Sequence, residues 1–266
     1  MNITKNIVLL IGNHTRHIYF ADKIHSKFPL SGIIIEKREN IIPKIKNIYE
    51  KKDIKNFNKH FANRDYFEKK YFNNTKLPNV DRIEIISPKK NSKKIINFIK
   101  KMKPSLVILF GASVLSKKIL DSMPLQTINL HAGLAPYYRG SACNFWPFYF
   151  LSPHHAGYTY HKVEKEVDKG NIILHSLPKL KKGLSIHEVN CLGLISAITD
   201  FSKIVKFAKM NNKIPSKKIN NQGKFFFSSD FKPQHLRNIY NLFSDNIVDY
   251  YIENKNQFKK LKLINL

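Results

Sequence analysis

Cysteine is almost absent from this sequence. The chain has two, Cys143 and Cys191, and neither has a partner nearby at zinc-ligand spacing. That pattern excludes a disulfide framework and a sequence-local zinc site. Two buried thiols in a reducing cytoplasm are expected, and the cytoplasm is the expected location. Long apolar runs are missing too. No stretch approaches the roughly 18–20 uninterrupted apolar residues of a membrane span. The opening "MNITKNIVLLIGNHTRH" has a short apolar run, then Gly, Asn and Arg, without a small-residue cleavage site. It reads as a first β-strand rather than a secretion signal. Glycine is missing where a dinucleotide would need it. In "IGNHTR", Gly12 takes the place of a first glycine, but His14 and His17 occupy the next two. This argues against a nicotinamide cofactor. Acidic residues are few: 19 Asp and Glu stand against 46 Lys and Arg, a formal net charge of +27.

What is present fits a folded α/β protein. The 266 residues suffice for one large domain, or one with a small appendage. At 42% apolar residues the chain can bury a core and is not disordered. The lysines are spread along the whole chain among Asn and Ile, as an AT-rich coding bias produces. A basic chain can hold nucleic acid, and a positive field also steers small phosphorylated substrates. Nucleic acid is the less favoured partner of the two and stays open.

Strands and helices alternate. "NIVLLIG" (6–12) suits a buried parallel strand, and "TRHIYFADKIHSKF" (15–28) has helical spacing at Ile18, Ala21, Ile24 and Phe28. Further strands are expected at 32–38, 82–87, 105–111 and 126–131. Helices are expected at 92–103, capped by Ser92, and at 116–123. The charged, aromatic stretch 40–78 reads as one or two helices. Beyond it come a helix near "SACNFWPFYFL", strands at 157–163 and 171–180, and a capping box at Ser185–Glu188 that opens a long helix. The tail reads as a short "KFFF" strand and a helix over 235–251. The fold class is α/β: a Rossmann-like, doubly wound, mainly parallel sheet with a small C-terminal extension. The expected division is 1–210 for the main domain and 211–266 for the extension.

The stretch "NLHAGLAPYYRG" carries the chemistry. Asn129 and His131 are two apart at a strand end, so both side chains leave one face. In parallel sheets ligands collect at such ends. An amide can donate to a developing oxyanion, and an imidazole can move a proton. The best-placed third group downstream is Asp168, in "EVDKG". At the first turn, the helix start beside Gly12, Asn13 and Arg16 is suited to a phosphate, with a plain solvated turn as the alternative.

Asn-x-His at a strand end, a loop of the type "GLAPYYRG", and "VDKGNII" about forty residues on resemble the folate-dependent formyltransferases. That family includes glycinamide ribonucleotide, methionyl-tRNA and sugar-nucleotide enzymes. The resemblance covers Lys103 to Ser176 well and the first strand weakly. It implies a catalytic triad of Asn129, His131 and Asp168. It also implies 10-formyltetrahydrofolate as donor, gripped by Ser113, Val114 and Leu115 and by the loop Val163, Glu164, Lys165, Glu166 and Val167. His161 lies near that loop. A primary amine would attack the formyl carbon, with Asn129 and protonated His131 stabilising the oxyanion and Asp168 orienting His131. No metal is implied. The loop departs from the family's usual Ser-Leu-Leu-Pro by reading Gly133-Leu134-Ala135-Pro136.

The acceptor implied is a small-molecule amine. A nucleotide-linked amino sugar for surface polysaccharide is favoured, with Gly12, Asn13, Arg16 and Arg139 as candidate contacts. Roughly sixty residues after the long helix are too few for the C-terminal β-barrel of a methionyl-tRNA enzyme. Methionyl-tRNA, a hydroxyornithine-type amine, and a non-enzymatic basic nucleic-acid-binding module remain alternatives. A homodimer stays open.

Overall fold

A computed structural model describes residues 4–37, 45, 48–164, 168–218 and 223–266. Five short apolar segments build the centre of the sheet: β1 (Ile7–Gly12), β2 (Leu30–Glu36), β3 (Asp81–Ile85), β4 (Leu106–Phe110) and β5 (Thr127–His131). β1 and β4 are buried along their whole length, as strands covered on both faces must be. β5 is followed by β6 (Tyr138–Gly140), β7 (Tyr158–Lys162) and β8 (Ile172–Ser176). The main sheet runs β3-β2-β1-β4-β5-β7-β8. It is parallel through β5, and β7 and β8 then add antiparallel. The order reverses beside β1, which makes the β1–β4 edge a topological switch point.

Alternation sends β4's Ile108 and β5's Ile128 and Leu130 to one face, under α1 (Thr15–Lys27) and the long helix α6 (Ile186–Asn211). Val107 and Leu109 go to the other face, under α3 (Ser92–Met102) and α4 (Lys117–Leu120). The α6 capping box expected from the sequence is formed. Ser185 Oγ accepts from the Glu188 N–H, and the Glu188 carboxylate accepts from the Ser185 N–H. At α3 the cap differs from expectation. Ser92 is the first helical residue, and Asn91 precedes it with its Oδ1 turned back to the N–H groups of Ile86 and Ser87, at 2.9 and 3.3 Å. The helix ends on Lys103 in the left-handed region, just before Pro104.

A second core lies beside the sheet. It joins Phe57 of α2 (Lys51–Tyr71), Tyr138 of β6 with Phe145 and Trp146 beyond it, Ile186 and Val189 of α6, and Leu236, Ile239, Tyr240, Ile247 and Val248 of the tail. Burying each of these large apolar side chains contributes roughly 1.5–3 kcal/mol. Only one helix is described in the 40–78 stretch, and residues 38–44, 46 and 47 lie outside the described set. The helix expected near 141–151 is the single turn α5 (Trp146–Tyr149).

The helix expected over 235–251 is broken. A π-helical turn over Asn238–Leu242 precedes Ser244 and Asp245 with φ of 50° and 64°, and α7 (Ile247–Glu253) follows. The break lets Asp245 Oδ1 accept from the Ile186 N–H at 3.2 Å, which places a carboxylate on the first turn of α6. The "KFFF" strand is β9 (Lys224–Phe226), and it pairs in parallel with β6. Among the described residues, no helix is long and apolar enough to cross a membrane.

Candidate active site

Asn129 and His131 project from β5 on the face opposite Ile128 and Leu130, and the antiparallel register sets His161 of β7 directly opposite Asn129. On this face three side chains meet a fourth. Asp168 has a φ of 51°, a conformation Asp tolerates better than most residues. Its Oδ2 lies 3.3 Å from His131 Nδ1 and its Oδ1 lies 3.4 Å from His161 Nε2. The Gly140 N–H donates to Asp168 Oδ2 at 3.0 Å. Asn129 Nδ2 is 3.0 Å from His161 Nε2.

Hydrogen-bond partners decide the tautomers. His161 Nδ1 is 2.8 Å from the Lys162 carbonyl, which can only accept, so Nδ1 carries the proton. Nε2 then accepts from the Asn129 amide, and this fixes which way the amide points. His131 is set differently. Its Nε2 faces the Tyr138 carbonyl at 3.1 Å, and its Nδ1 faces Asp168. Both ring nitrogens therefore face acceptors. A neutral ring has one proton for two acceptors, and a second proton completes both bonds.

Burial pushes the His131 imidazole below its ordinary pKa, against the opposing pull of Asp168. Burial thus favours the neutral ring in the free protein. For Asp168, burial alone would raise the carboxyl, but the facing His131 and His161 and the Gly140 N–H bring it down to about 2. It is an anion throughout the working range.

The loop after His131 is tied down from the same face. Thr159 Oγ1 donates to the Gly133 carbonyl at 2.7 Å and accepts from the Ala135 N–H at 2.9 Å. His175 Nε2 donates to the Ala135 carbonyl at 2.7 Å, while its Nδ1 accepts from the Ile264 N–H at 3.0 Å. Tyr137 Oη donates to the Lys262 carbonyl at 3.2 Å, so the end of the chain braces this loop. Gly140 has a φ of 87°, and a side chain there would run into the Phe226 carbonyl. A glycine is needed at that place for β9 to approach while the Gly140 N–H reaches Asp168.

Ser113, Val114 and Leu115 follow β4 on the face that carries Asn129. Leu115 is buried in the α3–α4 core, and Val163 packs against the same core. Val114 is 67% exposed. Ser113 is held by Glu36 at the end of β2, whose carboxylate accepts from the Ser113 N–H at 2.7 Å and from its hydroxyl at 2.5 Å. A lone Glu ending an apolar run gave no sign of this in the sequence. Glu164 is exposed, and Lys165, Glu166 and Val167 lie outside the described residues.

The first-turn candidates make contacts of their own. A side chain on Gly12 would sit 2.5 Å from His17 Nδ1, so its bareness serves the packing of the buried His17. Asn13 follows β1. Arg16, in the first turn of α1, pairs with Glu68 of α2. Arg139 is 7% exposed and donates to the Gly223 carbonyl at 3.3 Å. Among the described residues, no three His, Cys, Asp or Glu side chains are placed to hold a metal ion.

The formyl transferase family model matches residues 38–191. The methionyl-tRNA formyltransferase of Clostridium tetani is 31% identical over 113 residues, 41% of this chain and 36% of that protein. The chain thus spans about a third of the length of that curated relative. Among solved structures, a 4-N formyltransferase from Francisella tularensis superposes with a TM-score of 0.56 at 22% identity, over 86% of this chain and 78% of that one. An N-formyltransferase from Helicobacter canadensis, solved with folinic acid and dTDP-3-aminofucose, superposes with a TM-score of 0.52 at 13% identity, over 87% and 78%.

Proposed function

The chain belongs to the formyl transferase family, and on that premise we propose that it moves a formyl group from 10-formyltetrahydrofolate to a primary amine. The observation that carries this reading is the meeting of Asn129, His131 and Asp168 at the end of β5. The pterin is assigned to Ser113–Leu115 and Val163, on the reading that Leu115 and Val163 share one apolar cluster. When bound, the folate supplies an activated formyl carbon.

The residues would then act as follows. The Asn129 amide spends one N–H on His161, and its second N–H donates to the formyl oxygen as negative charge develops there. His131, neutral and already facing two acceptors, would take the proton released by the attacking amine and return it to the folate nitrogen as that nitrogen's bond to the formyl carbon breaks. Asp168 keeps that proton near by its charge, and the Gly140 N–H holds Asp168 in place. Burial excludes water from the relay, which strengthens each of these interactions.

The acceptor we propose is a nucleotide-linked amino sugar destined for surface polysaccharide. A dTDP-linked amino sugar is named with one structural neighbour, and dTDP with another. Both free thiols, Cys143 and Cys191, are buried, in keeping with a cytoplasmic protein. The test is a panel of amines incubated with 10-formyltetrahydrofolate at physiological salt and read by the mass gain of one formyl group. Formylation of an amino-sugar nucleotide is expected. Faster formylation of methionyl-tRNA would move the acceptor to tRNA, and failure to bind 5-formyltetrahydrofolate would overturn the formyl-transfer reading itself.

A further inference from the structure

β9 alternates in and out. Phe226 turns inward and stacks on Trp146, with ring centroids 4.4 Å apart and planes 12° apart. Phe225 and Phe227 turn the other way, 41% and 64% exposed, with their rings edge to face at 5.1 Å. Two phenyl rings held in solvent side by side are a standing cost unless something covers them. They are also held firmly. The Lys224 N–H donates to the Tyr137 carbonyl at 3.0 Å, and the Phe226 carbonyl accepts from the Ser141 N–H at 2.8 Å. Beyond the strand, Asp230 accepts from the Phe227 N–H at 2.7 Å.

The register tells which way this surface looks. Phe225 stands opposite Arg139, so the two leave the same face of the small sheet. The Arg139 guanidinium sits over the Phe225 ring at 5.9 Å. Its Nε is buried and has no hydrogen-bond partner among the described residues. The charge of Arg139 is also felt at His131, behind the larger effects of burial and Asp168. One residue further on, Gly140 holds Asp168. The exposed rings therefore share a face with a buried, under-bonded cation that borders the catalytic group.

A planar aromatic joined to an anion is the ligand chemistry that satisfies both features. We infer that Phe225 and Phe227 form the stacking surface for the nucleobase of the acceptor, with Arg139 directed to its phosphates. This rests on the formyl-transfer reading and names a base-binding subsite for it. Stacking on phenyl rings is tolerant of base identity, so the surface selects a nucleotide over a bare sugar phosphate rather than one base over another.

The experiment uses the full chain and titration calorimetry with three probes: dTDP, inorganic pyrophosphate and 5-formyltetrahydrofolate. In F225S/F227S the dissociation constant for dTDP should rise about tenfold or more, while pyrophosphate and the folate analogue bind as before. F225W should bind dTDP at least as tightly as the parent chain, which separates stacking from damage to β9. If F225S/F227S does not fold, F227S alone is expected to weaken dTDP about threefold. An unchanged dTDP constant in a folded variant would overturn the inference. So would equal losses for dTDP and pyrophosphate, or a loss confined to the folate analogue. A parent chain that binds 5-formyltetrahydrofolate and no dTDP sinks this subsite alone, and one that fails to bind the folate analogue sinks the reading beneath it.

Discussion

Two buried histidine pairs can be compared in this molecule, and only the pair of His131 and His161 faces Asp168. His131 and His161 have ring centroids 6.4 Å apart, with Asp168 between them. His60 of α2 and His187 of α6 are closer, at 4.6 Å, and share the Tyr240 hydroxyl at 3.0 and 3.3 Å. Burial lowers His60 to about 3, with Arg64 adding to the effect, and lowers His187 well below its ordinary value for the same main reason. Those two rings are locked neutral and behave as packing, ringed by Phe61, Phe67 and Phe145. His131 is just as buried, and the Asp168 charge opposes the loss of its proton. Burial alone makes an imidazole inert, and a fixed anion returns it to chemistry.

The strongest way to break this contrast is to remove the anion. Asp168→Asn keeps the size of the side chain and should lower turnover by roughly 10²–10⁴-fold, as should His131→Ala. The acid limb of the pH–rate profile should move to lower pH in Asp168→Asn, because the larger of the two effects holding the His131 pKa up is gone. Near-normal turnover in either variant, measured with an identified acceptor, would dismiss the triad.

The other pair should appear in stability instead. Groups with depressed folded pKa values stabilise the fold fully above the unfolded value, and that stability drains as pH falls toward the folded value. For His60 the window runs from about 6.5 down to about 3. Each locked histidine costs about 1.4 kcal/mol per pH unit in that window. Asp245, pushed up to about 6 by burial, works in the opposite sense between roughly pH 4 and 6, so the loss there is partly offset. Urea midpoints measured across pH 4–7 should fall with acid, and His60→Phe should flatten the slope by about one histidine's share. An unchanged slope would show that His60 titrates freely.

A smaller effect is expected at His161, which orients Asn129. His161→Gln can still accept from the amide, so a loss of roughly tenfold in kcat with little change in KM for the folate is expected. The smallest effect belongs to Arg16. Its pair with Glu68 is partly exposed, and Arg16→Ala should cost no more than about 1 kcal/mol of stability. If the first turn also meets the acceptor's phosphates, the acceptor KM rises severalfold while folate affinity holds. An unchanged acceptor KM would assign Arg16 to the α1–α2 contact alone.

The chemistry in this chain was legible where it is local. Asn129 and His131 sit two apart on a strand, and Ser185 and Glu188 three apart at a helix start, so spacing alone placed them. Glu36, Thr159 and His175 were opaque, because each works through a partner more than twenty residues away. The same holds for β9, visible as a run of phenylalanines whose pairing with β6 no local pattern announces. The tail helix was misjudged because the hydrophobic period continues through 238–251. The chain breaks there for a distant reason, to set Asp245 on α6.

The brace from Lys262 and Ile264 makes the catalytic loop answer to residues far from it in sequence. The Ile264 N–H fixes the tautomer of His175, and the His175 N–H returns a bond to the Ile264 carbonyl at 2.9 Å. Through Ala135 that imidazole sets the loop carrying Pro136 to Gly140. Substitutions at Ile264 that displace its backbone are therefore a lever on the loop that alters no residue within it.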